Sequence, residues 1–105
     1  MSENPFALTV LYKQPGEKPE VMEIMNSVGD MDDLVHGKIE SQGIDDGVCI
    51  IYNNLAVKMS MPLCATIYNQ TFYGPIIFVE FDENGALRSL DPANIEYYSS
   101  MLEGQ

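Results

Sequence analysis

The feature that most constrains this chain is a succession of short apolar runs separated by strong turn signals. Phe6-Ala7-Leu8-Thr9-Val10-Leu11-Tyr12-Lys13 puts Phe6, Leu8, Val10 and Tyr12 on one face, the period of a strand. Gln14-Pro15-Gly16-Glu17-Lys18-Pro19 turns the chain, since proline presets φ and the glycine after it accepts a positive one. Glu20 to Met25 returns as the second strand of a hairpin. Residues 38–42 and 48–53 read as two more strands about the turn Ile44-Asp45-Asp46-Gly47, and residues 55–59 as a further short strand. Thr71 to Phe81 is a β-rich run in which Gly74-Pro75 marks a bend or an edge position. Asp82-Glu83-Asn84-Gly85 is a tight turn, from which Ala86-Leu87-Arg88 return. Residues 61–70, interrupted by Pro62, show no regular pattern.

Two segments carry the helical period instead. Val28, Met31, Leu34 and Val35 fall at helical spacing behind a cap at Asn26 or Ser27, and Gly37 after His36 is the usual stop. This gives a helix over residues 27–36. Asp91 caps and Pro92 opens a second helix over 92–102, with Ile95, Tyr98 and Leu102 in one stripe. Tyr97 and Tyr98 are neighbours on it, so they cannot both point inward. The expected fold class is α+β, with a mixed, mainly antiparallel sheet of five to seven short strands and both helices packed on it. All of residues 1–105 are read as one domain.

Charge narrows the function. Sixteen Asp and Glu oppose five Lys and Arg, a formal net charge of -11. A field of that sign repels nucleic acid and draws in basic partners, so direct nucleic-acid binding is excluded. The hydrophobic share of 46% separates the chain from a disordered acidic tail. No apolar run approaches the roughly 20 residues that span a bilayer. Met1-Ser2-Glu3-Asn4-Pro5 does not read as a signal peptide. The expectation is a cytoplasmic protein with no membrane partner. Cys49 and Cys64, without a Cys-x-x-Cys spacing, suit buried thiols in a reducing compartment.

No catalytic residue stands out. His36 is the sole histidine and ends a helix, where a cation is favoured by the dipole alone. No serine or cysteine sits in a nucleophile motif, and the scattered Cys49, Cys64 and His36 make no zinc spacing. Asp82-Glu83-Asn84-Gly85-Ala86 opens like a calcium loop, but Leu87 and Ala93 occupy the positions that require glycine and glutamate. A glycine-rich phosphate loop is missing as well. No metal and no cofactor are expected.

The carboxylates remain. Asp30, Asp32, Asp33, Glu40, Asp45 and Asp46 fall within seventeen residues, offset by Lys38. Gathered on one side they would make a docking surface for a basic protein, in the manner of a DNA mimic. Spread evenly they would serve solubility alone. The leading expectation is therefore a non-enzymatic protein whose partner is a basic protein surface, met by those six residues. A second reading is a small-molecule or nucleotide binder, or an enzyme, with a pocket between sheet and helices drawing on Tyr73, Arg88, Tyr97 and His36. A third is a homodimer or larger homo-oligomer that covers the apolar 73–81 run, were that run to lie at a sheet edge.

Several stretches together carry a family likeness. They are Gln14-Pro15-Gly16-Glu17-Lys18-Pro19, then Val35-His36-Gly37-Lys38-Ile39-Glu40, a buried strand ending in Tyr52-Asn53-Asn54, and Ile67-Tyr68. Tyr73-Gly74-Pro75-Ile76-Ile77-Phe78-Val79, Ser89-Leu90-Asp91 and Ile95-Glu96-Tyr97-Tyr98 complete the pattern. From Leu8 to Leu102 the chain resembles the small proteins of Firmicutes, phages and mobile elements grouped as domain of unknown function thirty-eight forty-six. It departs from them after Pro62, where Leu63-Cys64 stand in place of an Asn-Arg pair. The resemblance implies no activity. It does imply an accessory protein of a phage or mobile element, of the kind that acts by binding host machinery such as a nuclease or defence component.

Overall fold

The computed structural model describes residues 6–105; the acidic segment Met1–Pro5 lies outside the described residues. The first hairpin joins β1 (Ala7–Lys13) to β2 (Glu20–Met25). Helix α1 (Val28–Val35) follows, with the Ser27 hydroxyl accepting from Asp30 N–H as its cap. Next come β3 (Ile39–Asp45), β4 (Val48–Asn53), β5 (Leu63–Ile67), β6 (Gln70–Tyr73), β7 (Ile76–Phe81) and β8 (Leu87–Arg88). Helix α2 (Pro92–Leu102) closes the chain, with Asp91 as its cap and Pro92 in its first turn. The α+β class and both helices stand as the sequence indicates.

The main sheet has the order β2-β1-β7-β4-β3, with β8 pairing the end of β7, while β5 and β6 form a separate two-stranded sheet. Every pairing is antiparallel. The mainly antiparallel sheet expected from sequence is therefore found, with no parallel pair among the described strands. A parallel pair arises where a crossover returns the chain beside the strand it left. Here α1 leaves β2 at one edge, and β3 takes its place at the other edge of the sheet.

Both faces of the sheet are buried. Under α1, Met31 and Val35 pack on Leu8, Val10, Tyr12, Ile24, Cys49, Ile51, Ile77 and Val79. On the opposite face, α2 and the β5–β6 hairpin bring Tyr98, Leu102, Cys64, Ile67 and Phe72 against Leu11, Val48, Ile50, Ile76 and Phe78. Central β7 feeds both cores with alternate residues, which explains its uninterrupted Ile-Ile-Phe-Val run.

Other sequence-based boundaries shift for definable reasons. Gly74, at φ 73°, and Pro75 cut the 71–81 run into β6 and β7, which belong to different sheets. Because β7 is central, the Ile76–Phe81 part of that run offers no edge for a second copy of the chain. Residues 55–59 form turns instead of a strand, and β5 arises inside the stretch without a pattern. The left-handed residue after α1 is His36, at φ 62°, not Gly37. Gly37 is needed for space, since a Cβ there would lie 2.5 Å from the Asn53 amide nitrogen.

Candidate functional site

The crossing of α1 divides the six carboxylates. Asp30 accepts from Met25 N–H at the end of β2, and Asp33 shares a shallow cavity with Asp30, Glu23 and Met25 on that side. Asp32 reaches the other way and accepts from Ile39 N–H at the start of β3. Glu40 and Asp45 lie on β3 and Asp46 in the turn after it. The six therefore do not share one side: four follow the outer strand β3 and two attend the opposite edge strand β2.

A bulge then aligns two of the four. The β3–β4 register slips between Gly43 and Asp45, so Glu40 opposes Tyr52 and Asp45 opposes Val48. Tyr52 and Val48 are an even number of residues apart and face the same core, so the extra residue turns Glu40 and Asp45 to one face. The hydroxyl of Tyr52 donates to Glu40 Oε2 at 2.9 Å.

Asp45 is the centre of a tyrosine cluster. Its Oδ2 accepts from Tyr98, which is buried on α2, and from Tyr68 at 3.0 Å. The hydroxyls of Tyr68 and Tyr97 share a hydrogen bond of 2.6 Å. Burial, and then the bond to Asp45, hold the Tyr98 phenol well above its ordinary range. The bond to Tyr97 does most to raise Tyr68. Tyr68 and Asn69 make the two-residue turn of the β5–β6 hairpin, both with left-handed backbone at φ 48° and 70°. That conformation is costly for a tyrosine. It extends the hairpin tip over the end of β3, where Tyr68 stays 44% and Tyr97 50% exposed.

Asp45, Asp46, Tyr68, Asn94, Tyr97 and Tyr98 line an open notch of about 330 Å³. It presents carboxylates, phenol oxygens and tyrosine rings, a set whose chemistry suits a positively charged group. Sequence reasoning picked out Asp45, Asp46 and Tyr97 but missed Tyr68, Asn94 and Tyr98 as companions. The signal available was Tyr68-Asn69, an asparagine-containing pair between two β-prone stretches.

The residues of the small-molecule reading are dispersed. Tyr73 lines a small cavity with Gln42, Tyr52 and Phe72, whereas Tyr97 belongs to the notch. His36 caps α1, and Arg88 lies on β8 opposite Glu80. Cys49 and Cys64 are free and buried, on opposite faces of the sheet. Among the described residues no helix is long and apolar enough to cross a membrane.

No curated protein and no solved structure matches the chain. One family model does, over residues 8–103, which takes in every strand but the first residue of β1 and both helices. The chain belongs to the family described as domain of unknown function DUF3846.

Proposed function

We propose that this protein is a non-enzymatic, cytoplasmic accessory protein of a phage or mobile element that binds a basic surface on a host protein. A nuclease or a defence component, whose groove otherwise receives the phosphates of DNA, is the fitting class of target. The observation that carries this reading is the set of carboxylates about one outer strand: Asp32 of α1 at its start, Glu40 and Asp45 on it and Asp46 in the turn after it, ending in a notch walled by tyrosines. The net charge of -11 adds long-range attraction for a cationic surface. The polar groups a small-molecule site would need are spread over separate parts of the molecule.

The test is a pull-down from the native host at low and high salt, with the wild type beside a Glu40→Gln, Asp46→Asn double variant. A basic protein retained at low salt, released at high salt and held less by the variant is the expected outcome. Retention that ignores both salt and the substitutions overturns the proposal.

A further inference from the structure

We infer that the partner is held as an extended segment that adds a strand to the outer edge of β3, with one of its lysine or arginine side chains in the notch beside Asp45. This inference rests on the reading of the protein as a binder of basic proteins, and it specifies the mode of capture.

The backbone of β3 is arranged for it. Asn54 N–H donates to Lys38 O, which fixes the alternation of the β3–β4 ladder. Glu40 and Gln42 then face β4, and the amides of Ile39, Ser41 and Gly43 face outward. Asp32 takes up the Ile39 N–H, and the Gln42 side chain donates to Gly43 O at 3.1 Å. Between these two caps Ser41 presents its N–H and C=O to solvent, and residues 40–43 are exposed. Outward-facing amides and carbonyls of this kind pair with an incoming strand, whose side chains then decide identity.

Charge and register define that identity. Glu40 and Asp45 share a face, and their β4 partners Tyr52 and Val48 are four residues apart, about 13 Å at strand rise. A docked strand therefore carries cations four residues apart, one opposite Glu40 and one in the tyrosine notch. The other edge strand, β2, ends beside a cavity lined by the carboxylates Glu23, Asp30 and Asp33, but no tyrosine ring or hydroxyl lines it. A second copy of this chain is a poor occupant. Antiparallel pairing of two β3 strands would set these carboxylates against each other and unite two bodies of charge -11.

The probe is a short synthetic peptide of alternating threonine and valine with lysines four residues apart, titrated into the isotope-labelled protein at low salt. The ladder-side amides of a second peptide are N-methylated, so it keeps its charge but cannot pair. Expected are slowed hydrogen exchange at Ser41 and Gly43, and affinity for the methylated peptide lower by about tenfold. A Tyr97→Ala variant should bind the first peptide several-fold more weakly. Equal affinity for both peptides, with salt-sensitive binding, overturns strand addition and leaves the broader reading standing. If the lysine peptide fails to bind, strand addition falls. Should the host pull-down also yield no basic protein, the broader reading falls with it. Protection of Ser41 on concentrating the protein alone assigns the edge to a second copy, and this too overturns the inference.

Discussion

Tyr98 and Asp45 stand 53 residues apart in sequence, and the phenol of one donates to the carboxylate of the other. The bond ties α2 to the end of β3, and it stations Asp45 where Tyr68 also reaches it. Tyr98 is otherwise packed, its ring centroid 5.1 Å from that of Phe78. The Tyr98→Phe variant keeps this packing and loses the bond. A charged acceptor strengthens such a bond, while exposure of Asp45 weakens it, so the expected cost is about 1–2 kcal/mol. Urea unfolding with an unchanged slope checks this, and a midpoint equal to the wild type's would show that the bond contributes nothing.

The same cluster sets an alkaline limit. Tyr98 and Tyr68 titrate above their ordinary range in the folded protein, whereas in the unfolded chain each returns to about 10. The fold thus favours the protonated phenols. Its benefit is full below pH about 10 and is lost as pH rises toward the folded values, because the unfolded chain releases those protons first. Stability measured between about pH 9 and 11.5 should fall, and less steeply in Tyr98→Phe. Identical slopes in the two proteins would exclude Tyr98 as a source of the decline.

Burial pushes the Cys49 and Cys64 thiols up to about 11, with Lys13 drawing Cys64 partly back. Few thiolates exist near neutral pH under those conditions. Alkylation at about pH 8 should run roughly a hundredfold slower than for a free thiol, and should become fast in denaturant. Rapid labelling of the folded protein would mean that one of these side chains reaches solvent.

Asn53 holds the exit of α1. It is buried, donates to Val35 O at 3.2 Å and to His36 O at 3.1 Å, and accepts from Leu55 N–H at 2.8 Å. Asn53→Ala leaves those backbone groups without their partner and is expected to cost about 2–4 kcal/mol. Chemical denaturation gives the value directly, and a loss below about 1 kcal/mol would place the strength of this junction elsewhere.

Tyr68 is retained against its backbone preference. A Tyr68→Asn change suits the left-handed first position of a two-residue hairpin turn. It should stabilise the protein by about 0.5–1 kcal/mol, after allowance for the exposed hydroxyl bonds it removes. The same variant should bind the lysine peptide more weakly than wild type does. Improved stability together with undiminished binding would deny Tyr68 a part in the notch.

Several elements are legible residue by residue. Alternation gives β1, a proline after a capping aspartate gives α2, and Asn84-Gly85 gives the turn before β8. The hairpin β5–β6 is not legible, because Leu63 to Tyr73 lies over a sheet that must exist before the hairpin's apolar side has anything to cover. The candidate site is half legible. Asp45 and Asp46 are conspicuous as carboxylates, but the clustering of all six acids on one side fails, because it depends on where a crossover helix deposits its two flanks.

Local chemistry in the sequence by itself determined the class of fold, both helices, most strands and the acidic character, since periodicity, caps and turn residues act over a few neighbouring positions. Only the tertiary structure decided that β3 lies at an edge, that a bulge turns Glu40 and Asp45 to one face, and that Tyr68, Tyr97 and Tyr98 converge on Asp45. Strand order and the crossing of α1 follow from burying both sheet faces at once, a condition on the whole chain that no short window of residues contains.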